Sequence, residues 1–169
     1  MSRLLGTSIL VVGALAAYGL ATDQGFGTDT AVVTPVSTAA AGDIPPDYLA
    51  LYQGVGATCS NLDWALVAAV GKVETDHGRS PLPGVHSGAN SAGAAGPMQF
   101  LPATFAGVRD RHPDTVGPDQ YNPADAIAAT AHMLCDNGVA DGRVNDAVWS
   151  YNHSDAYVTQ VLTQAEAYR

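Results

Sequence analysis

The chain has 169 residues, enough for one domain with an extension, and 47% of them are apolar while only 14% are charged. Its 7 basic and 16 acidic residues leave a net charge of −9. That balance, with no basic stripe, no phosphate-cradling glycine loop and no CxxC pair, excludes a polyanion-binding surface and argues against nucleic-acid or nucleotide partners.

In chain order, Arg3 precedes an apolar run over residues 4–21, and the small residues Gly19 and Ala21 suit cleavage after Ala21. Residues 1–21 therefore read as a signal peptide or a membrane anchor, since the run nearly suffices to span a bilayer. Either reading predicts export to the cell envelope or beyond. Residues 22–42, rich in Thr, Ala, Gly and Asp without a sustained period, read as a flexible linker. The pair Cys59 and Cys135 fits an exported protein with one disulfide.

From about residue 43 the signals are helical. Pro46 suits a first helical turn, with Tyr48, Leu49, Leu51 and Tyr52 after it. "SNLDWALVAAVGKVETDHG" predicts a helix capped by Asn61, with Asp63 in its first turn and Gly78 as its stop. Residues 81–97, rich in glycine and proline, form a long shaped loop. A short helix enters at Pro102. Another is capped by Asn122, has Pro123 at its first position, and ends by Gly138. "NDAVWSYNHSDAYVTQVLTQAEAYR" reads as two more, the second capped by Ser154. No alternating strand or internal repeat stands out, so the fold class is mainly α with a long Gly-rich loop.

One residue breaks the apolar pattern. Glu74 shares a helix face with Val70 and Val67, whereas Lys72 and Asp76, each two residues away, point elsewhere. It also sits in the last turn, where the helix dipole disfavours an anion. Apolar surroundings and that dipole both raise a carboxyl pKa, and a carboxyl protonated near neutrality is a general acid. The alternative is an ordinary solvated Glu. The loop that follows offers Asn90, Ser91 and Gln99 as polar contacts.

Four segments in order, "VGKVETDHGRS", "NSAGAAGPMQFLPATF", "YNPADAIAATAHML" and "YNHSDAY", resemble the lytic transglycosylases of bacterial cell walls. The nearest branch is the membrane-bound lytic transglycosylase B type, a single catalytic domain of lysozyme-like fold, here over residues 43–169. The resemblance implies cleavage of the MurNAc-β-1,4-GlcNAc bond of peptidoglycan, with Glu74 as the one catalytic acid/base. It implies Gln99, Tyr151, Asn152 and Tyr157 along the sugar groove, with Tyr151 near Glu74. It implies that Asn152 or Gln99 holds an acetamido carbonyl. Asn90 stands where the family usually has serine, with Ser91 beside it. The product would be a 1,6-anhydro end, formed by a monomeric enzyme without cofactor. The same features fit a lysozyme-type hydrolase of that bond, and a catalytically silent wall-binding protein is a third alternative.

Relatives can carry a calcium loop before the helix that here begins "PADAI". Asp110, His112 and Asp114 alternate here, but Thr115 replaces the turn glycine and Tyr121 the terminal acid, so no metal site is expected. The histidines at 77, 86, 112, 132 and 153 form no recognised ligand set. Trp64 and Trp149 are expected in the core, with sugar stacking as their alternative role.

Overall fold

A computed structural model describes residues 36–169; the expected signal or anchor segment, and most of the expected linker, lie outside the described residues. Helix α3 (Trp64–Thr75) is the axis of the fold. Every residue from Trp64 to Gly71 on it is buried, so the helix is apolar nearly all round, as a helix enclosed by others must be. Helix α7 (Asp155–Tyr168) packs along α3, and α2 (Pro46–Val55) and α5 (Pro123–Asp136) pack against it from other sides. Helix α4 (Pro102–Arg111) rests on α5, and α6 (Val144–Asn152) bridges α5 and α7. A 3₁₀ turn at Val139–Asp141 joins α5 to α6. Among the described residues there is no strand, only an isolated bridge between Ala95 and Phe100.

Local chemistry explains most boundaries. Pro46, Pro102 and Pro123 each occupy a first helical turn, where a missing N–H costs nothing. Asn122 and Ser154 cap α5 and α7 by accepting from the Ala124 and Tyr157 amides. Asn61 does not cap α3. Asp63 does, accepting from the Ala65 amide at 2.9 Å. Asn61 instead takes a left-handed conformation (φ 65°) and donates to the Ala140 carbonyl, so a distant partner outbids the local one. Nor does α3 run to Gly78. It stops at Thr75 because Asp76, His77 and Gly78 are all left-handed.

One helix was not foreseen. α1 (Thr38–Asp43) occupies the end of the segment read as linker, capped by Ser37 and with Ala40 fully buried. It holds because Ser37 Oγ also donates to the Ala167 carbonyl on α7, a long-range contact that six small residues do not announce. Trp149 is a second difference. Trp64 is in the core, but Trp149 is 44% exposed, edge-on to His153. Cys59 and Cys135 are joined in a disulfide that ties the segment before α3 to the end of α5.

Candidate active site

The last turn of α3 brings Glu74 to the edge of the core, half-buried. Its neighbours on the helix turn away, as the 100° step per residue requires. Lys72 and Asp76 meet each other at 2.6 Å, and Asp76 also takes Arg79 at 2.7 Å. Glu74 is left with a neutral partner: Tyr157 Oη of α7 donates to Glu74 Oε1 at 2.6 Å. Burial lifts the Glu74 carboxyl from its ordinary 4.5 to about 7, and the Tyr157 hydrogen bond pulls the other way without winning. Burial, and then the charge of Glu74, push the Tyr157 phenol far above its usual range, so it remains a donor.

Tyr151 lies beside this pair, its ring parallel to that of Tyr157 at 6.3 Å and edge-on to Phe100 at 5.7 Å. Its hydroxyl does not reach Glu74. It donates to the Met98 carbonyl at 2.8 Å, with Thr130 Oγ1 at 3.3 Å. Tyr151 is close enough for burial and then the Glu74 charge to raise its phenol, but the hydrogen bond to the carboxyl comes from Tyr157, and Tyr151 binds the loop at Met98.

That loop, residues 76–101, is folded back onto the end of α3. Thr75 Oγ1 donates to the Pro97 carbonyl at 2.6 Å and accepts from the Gly78 amide at 2.8 Å. A side chain at Gly96 (φ 78°) would place its Cβ 1.9 Å from the Gln120 carbonyl oxygen, so only glycine lets the two segments meet there. Asn90 and Gln99 are spent on each other: Asn90 Nδ2 donates to Gln99 Oε1 at 2.9 Å, and Gln99 Nε2 donates to the Gly96 carbonyl at 2.8 Å. Asn90 Oδ1 accepts from the Ala92 and Ala94 amides as well. Both side chains brace the loop. Ser91, at the turn between them, and Asn152, at the end of α6, are exposed.

A carboxyl protonated near neutrality, facing a phenol donor beneath a braced loop, can deliver a proton to a bound oxygen and take one back. Over residues 55–169 the chain matches the family model of the transglycosylase SLT domain. It belongs to that family. No curated protein and no solved structure matches the chain.

Membership makes this chain a peptidoglycan transglycosylase of the lytic class and agrees with its mainly helical fold. A transglycosylase of this class acts on the cell wall, outside the cytoplasm. Among the described residues no helix is long and apolar enough to cross a membrane.

Three other acids make no hydrogen bond to Glu74. Asp125 accepts from the Asp119 amide, Asp119 accepts from the Tyr121 amide, and Asp110 is exposed on α4. Of the alternating trio, His112 faces Asp136 at 3.1 Å and stacks on His132 at 3.9 Å, and Asp114 is exposed. The surroundings of Glu74 and Tyr151 also include groups the sequence did not single out. Thr75 and Thr130 position backbone and phenol, and only the placing of Thr75 beside Glu74 hints at its part.

Proposed function

We propose that this protein cleaves the MurNAc-β-1,4-GlcNAc bond without water, leaving 1,6-anhydro-MurNAc ends, with Glu74 as the one acid/base. Within the family we propose the membrane-bound lytic transglycosylase B type as the nearest branch, on the order of its four motifs. The observation that carries the mechanism is the Glu74 carboxyl, raised to about 7 by burial and hydrogen-bonded by Tyr157 at 2.6 Å.

Because Tyr157 donates to Oε1, the acidic proton of Glu74 resides on Oε2, the oxygen left for the substrate. Glu74 gives it to the leaving glycosidic oxygen as the C1–O bond breaks. The positive charge at the anomeric carbon is taken up by the substrate's own acetamido oxygen. Glu74, now ionised and steadied by Tyr157, removes the proton of the muramic C6 hydroxyl, whose oxygen closes on C1. The attacking group is already in the substrate, and such oriented groups reach effective molarities of about 10⁵ M or more. That is why the second carboxylate that ordinary glycosidases use as base or nucleophile is dispensable. Ser91 and Asn152, the exposed polar residues of the two flanking segments, contact the glycan, while Asn90 and Gln99 act through the loop they brace. The enzyme works as a monomer and reaches the wall by export through residues 1–21, which also attach it to the membrane if they stay uncleaved.

The test is a digest of purified peptidoglycan with mass analysis of the muropeptides. Anhydro ends are expected, and Glu74→Gln is expected to produce none. Reducing ends carrying an added water would make the enzyme a hydrolase. Binding to insoluble peptidoglycan with no release of muropeptides would make it a silent wall-binding protein.

A further inference from the structure

Just past Glu74 the chain enters a buried run of hydrogen bonds that the reaction above does not use. His77 is 1% exposed and holds a left-handed backbone (φ 57°). Its Nδ1 lies 3.0 Å from Tyr52 Oη of α2, and its Nε2 lies 2.9 Å from Tyr168 Oη at the end of α7. Tyr168 Oη in turn donates to Asp43 Oδ2 of α1 at 2.6 Å. Room for Tyr52 exists only because residue 71 is glycine: a Cβ there would lie 2.1 Å from Tyr52 Oη.

The direction of every bond follows from one end. Burial raises the Asp43 carboxyl, but hydrogen bonds from Lys72, Tyr168 and Arg79 outweigh it and hold the group well below the usual carboxylate range. Ionised Asp43 can only accept, so Tyr168 spends its one proton there. Tyr168 oxygen then accepts from His77 Nε2–H, and Nδ1 is left to accept from Tyr52. His77 is thereby fixed as the neutral Nε2–H tautomer, with one donor and one acceptor each matched to a phenol. On its open side the chain of bonds is bordered by an ion cluster of Asp43, Lys72, Asp76 and Arg79.

The same helix carries both tyrosines that matter. Tyr157 and Tyr168 are separated by about three turns, which returns them to one face of α7. Tyr157 grips Glu74, and Tyr168 grips His77, on the two sides of the point where α3 ends. Fixing one grip therefore sets the position available to the other.

We infer that His77 is a positioning residue for the Glu74–Tyr157 pair: held between Tyr52 and Tyr168, it fixes the register of α7 against the end of α3. This rests on Glu74 being the acid, as proposed above. A His77 that merely filled space would affect stability and leave the reaction alone.

The experiment compares the full chain, disulfide intact, with Tyr168→Phe, His77→Gln, Tyr157→Phe and the double variant Tyr157→Phe/Tyr168→Phe. Soluble uncrosslinked glycan strands serve as substrate, and thermal unfolding shows which variants are folded. Tyr168→Phe and His77→Gln are expected to lower kcat about tenfold with KM within about twofold, the signature of a misplaced catalytic group. Both should move the alkaline limb of the rate profile upward, because a loosened Tyr157 no longer favours the ionised carboxyl. The double variant should be no worse than Tyr157→Phe alone, since both changes break one linkage. Additive losses, or a lowered melting temperature with kcat and the limb unmoved, would overturn the inference. Should His77→Gln not fold, Tyr168→Phe, which keeps its ring, decides the matter. A Glu74→Gln variant run alongside separates the two ideas: if it retains turnover the acid assignment has failed, and if it is dead while the cycle is additive only His77's role has.

Discussion

Replacing Glu74 by Gln should abolish activity and, at neutral to alkaline pH, make the protein more stable. The carboxyl has an ordinary pKa of 4.5 and is raised to about 7 in the fold, so the native state binds more protons than the unfolded chain between those values. By linkage, the contribution of Glu74 is fully favourable below 4.5 and is lost as pH rises through about 7. At roughly 1.4 kcal/mol per pH unit, the ionised form costs about 3 kcal/mol above neutrality. Glutamine mimics the protonated carboxyl, can still accept from Tyr157, and never ionises. The stability of Glu74→Gln relative to the native sequence should therefore rise by about 3 kcal/mol between about pH 4.5 and pH 8. Urea unfolding of both proteins at matched pH values, disulfide intact, measures this, and taking the difference removes every other titrating group. A difference that does not change with pH would mean that Glu74 titrates like a solvated side chain, and the dry niche that the proposed chemistry requires would not exist.

Three further outcomes follow from named contacts. On the proposed mechanism Glu74 starts protonated, so turnover should decline as pH rises through about 7, read from initial rates on purified peptidoglycan. Tyr157→Phe deletes the one hydrogen bond that lowers the carboxyl pKa, so that decline should shift to higher pH, with a stability loss of roughly 1.5–3 kcal/mol above neutrality in denaturant titrations. Replacing Cys59 and Cys135 together by Ala opens a loop closed over a separation of 76 residues, and should cost about 4 kcal/mol by urea unfolding.

What the sequence disclosed depended on how local each cause is. Proline at a first turn and Asn or Ser at a cap act within three residues, so the starts of α2, α4, α5 and α7 could be read directly. The start of α3 could not, because Asn61 and Asp63 are both competent caps and the choice is made by the Ala140 carbonyl, far along the chain. The position of Glu74 on its helix was legible from periodicity. Its partner was not: Tyr151 and Tyr157 both stood as groove residues, and which hydroxyl meets the carboxylate depends on how α6 and α7 cross the end of α3. Asn90 and Gln99 were visible as polar loop residues, but their mutual hydrogen bond arises only when the loop folds back. Trp149 was expected inside by residue type alone, yet α6 buries Ala147 and Val148 and leaves Trp149 exposed.

The site's neighbourhood also explains how a fold tolerates so costly a carboxyl. His77, three residues on, is shifted in the opposite sense: burial lowers it from 6.5 to about 4, and Asp43 opposes this only in part. A base with a depressed folded pKa destabilises the native state as pH falls from 6.5 toward 4, just as Glu74 does when pH rises from 4.5 toward 7. Each is worth about 3 kcal/mol over its range, with opposite slopes of roughly 1.4 kcal/mol per pH unit. Between 4.5 and 6.5 the two slopes cancel. His132, lowered by burial and by His112, tilts the balance in the same sense as His77, while the depressed carboxyls Asp43, Asp76 and Asp136 act only below this range. The native protein should thus show a nearly flat stability profile from about pH 4.5 to pH 6.5, whereas Glu74→Gln should gain stability with rising pH and His77→Phe should lose it. Parallel profiles for all three proteins would show that neither group is held out of water.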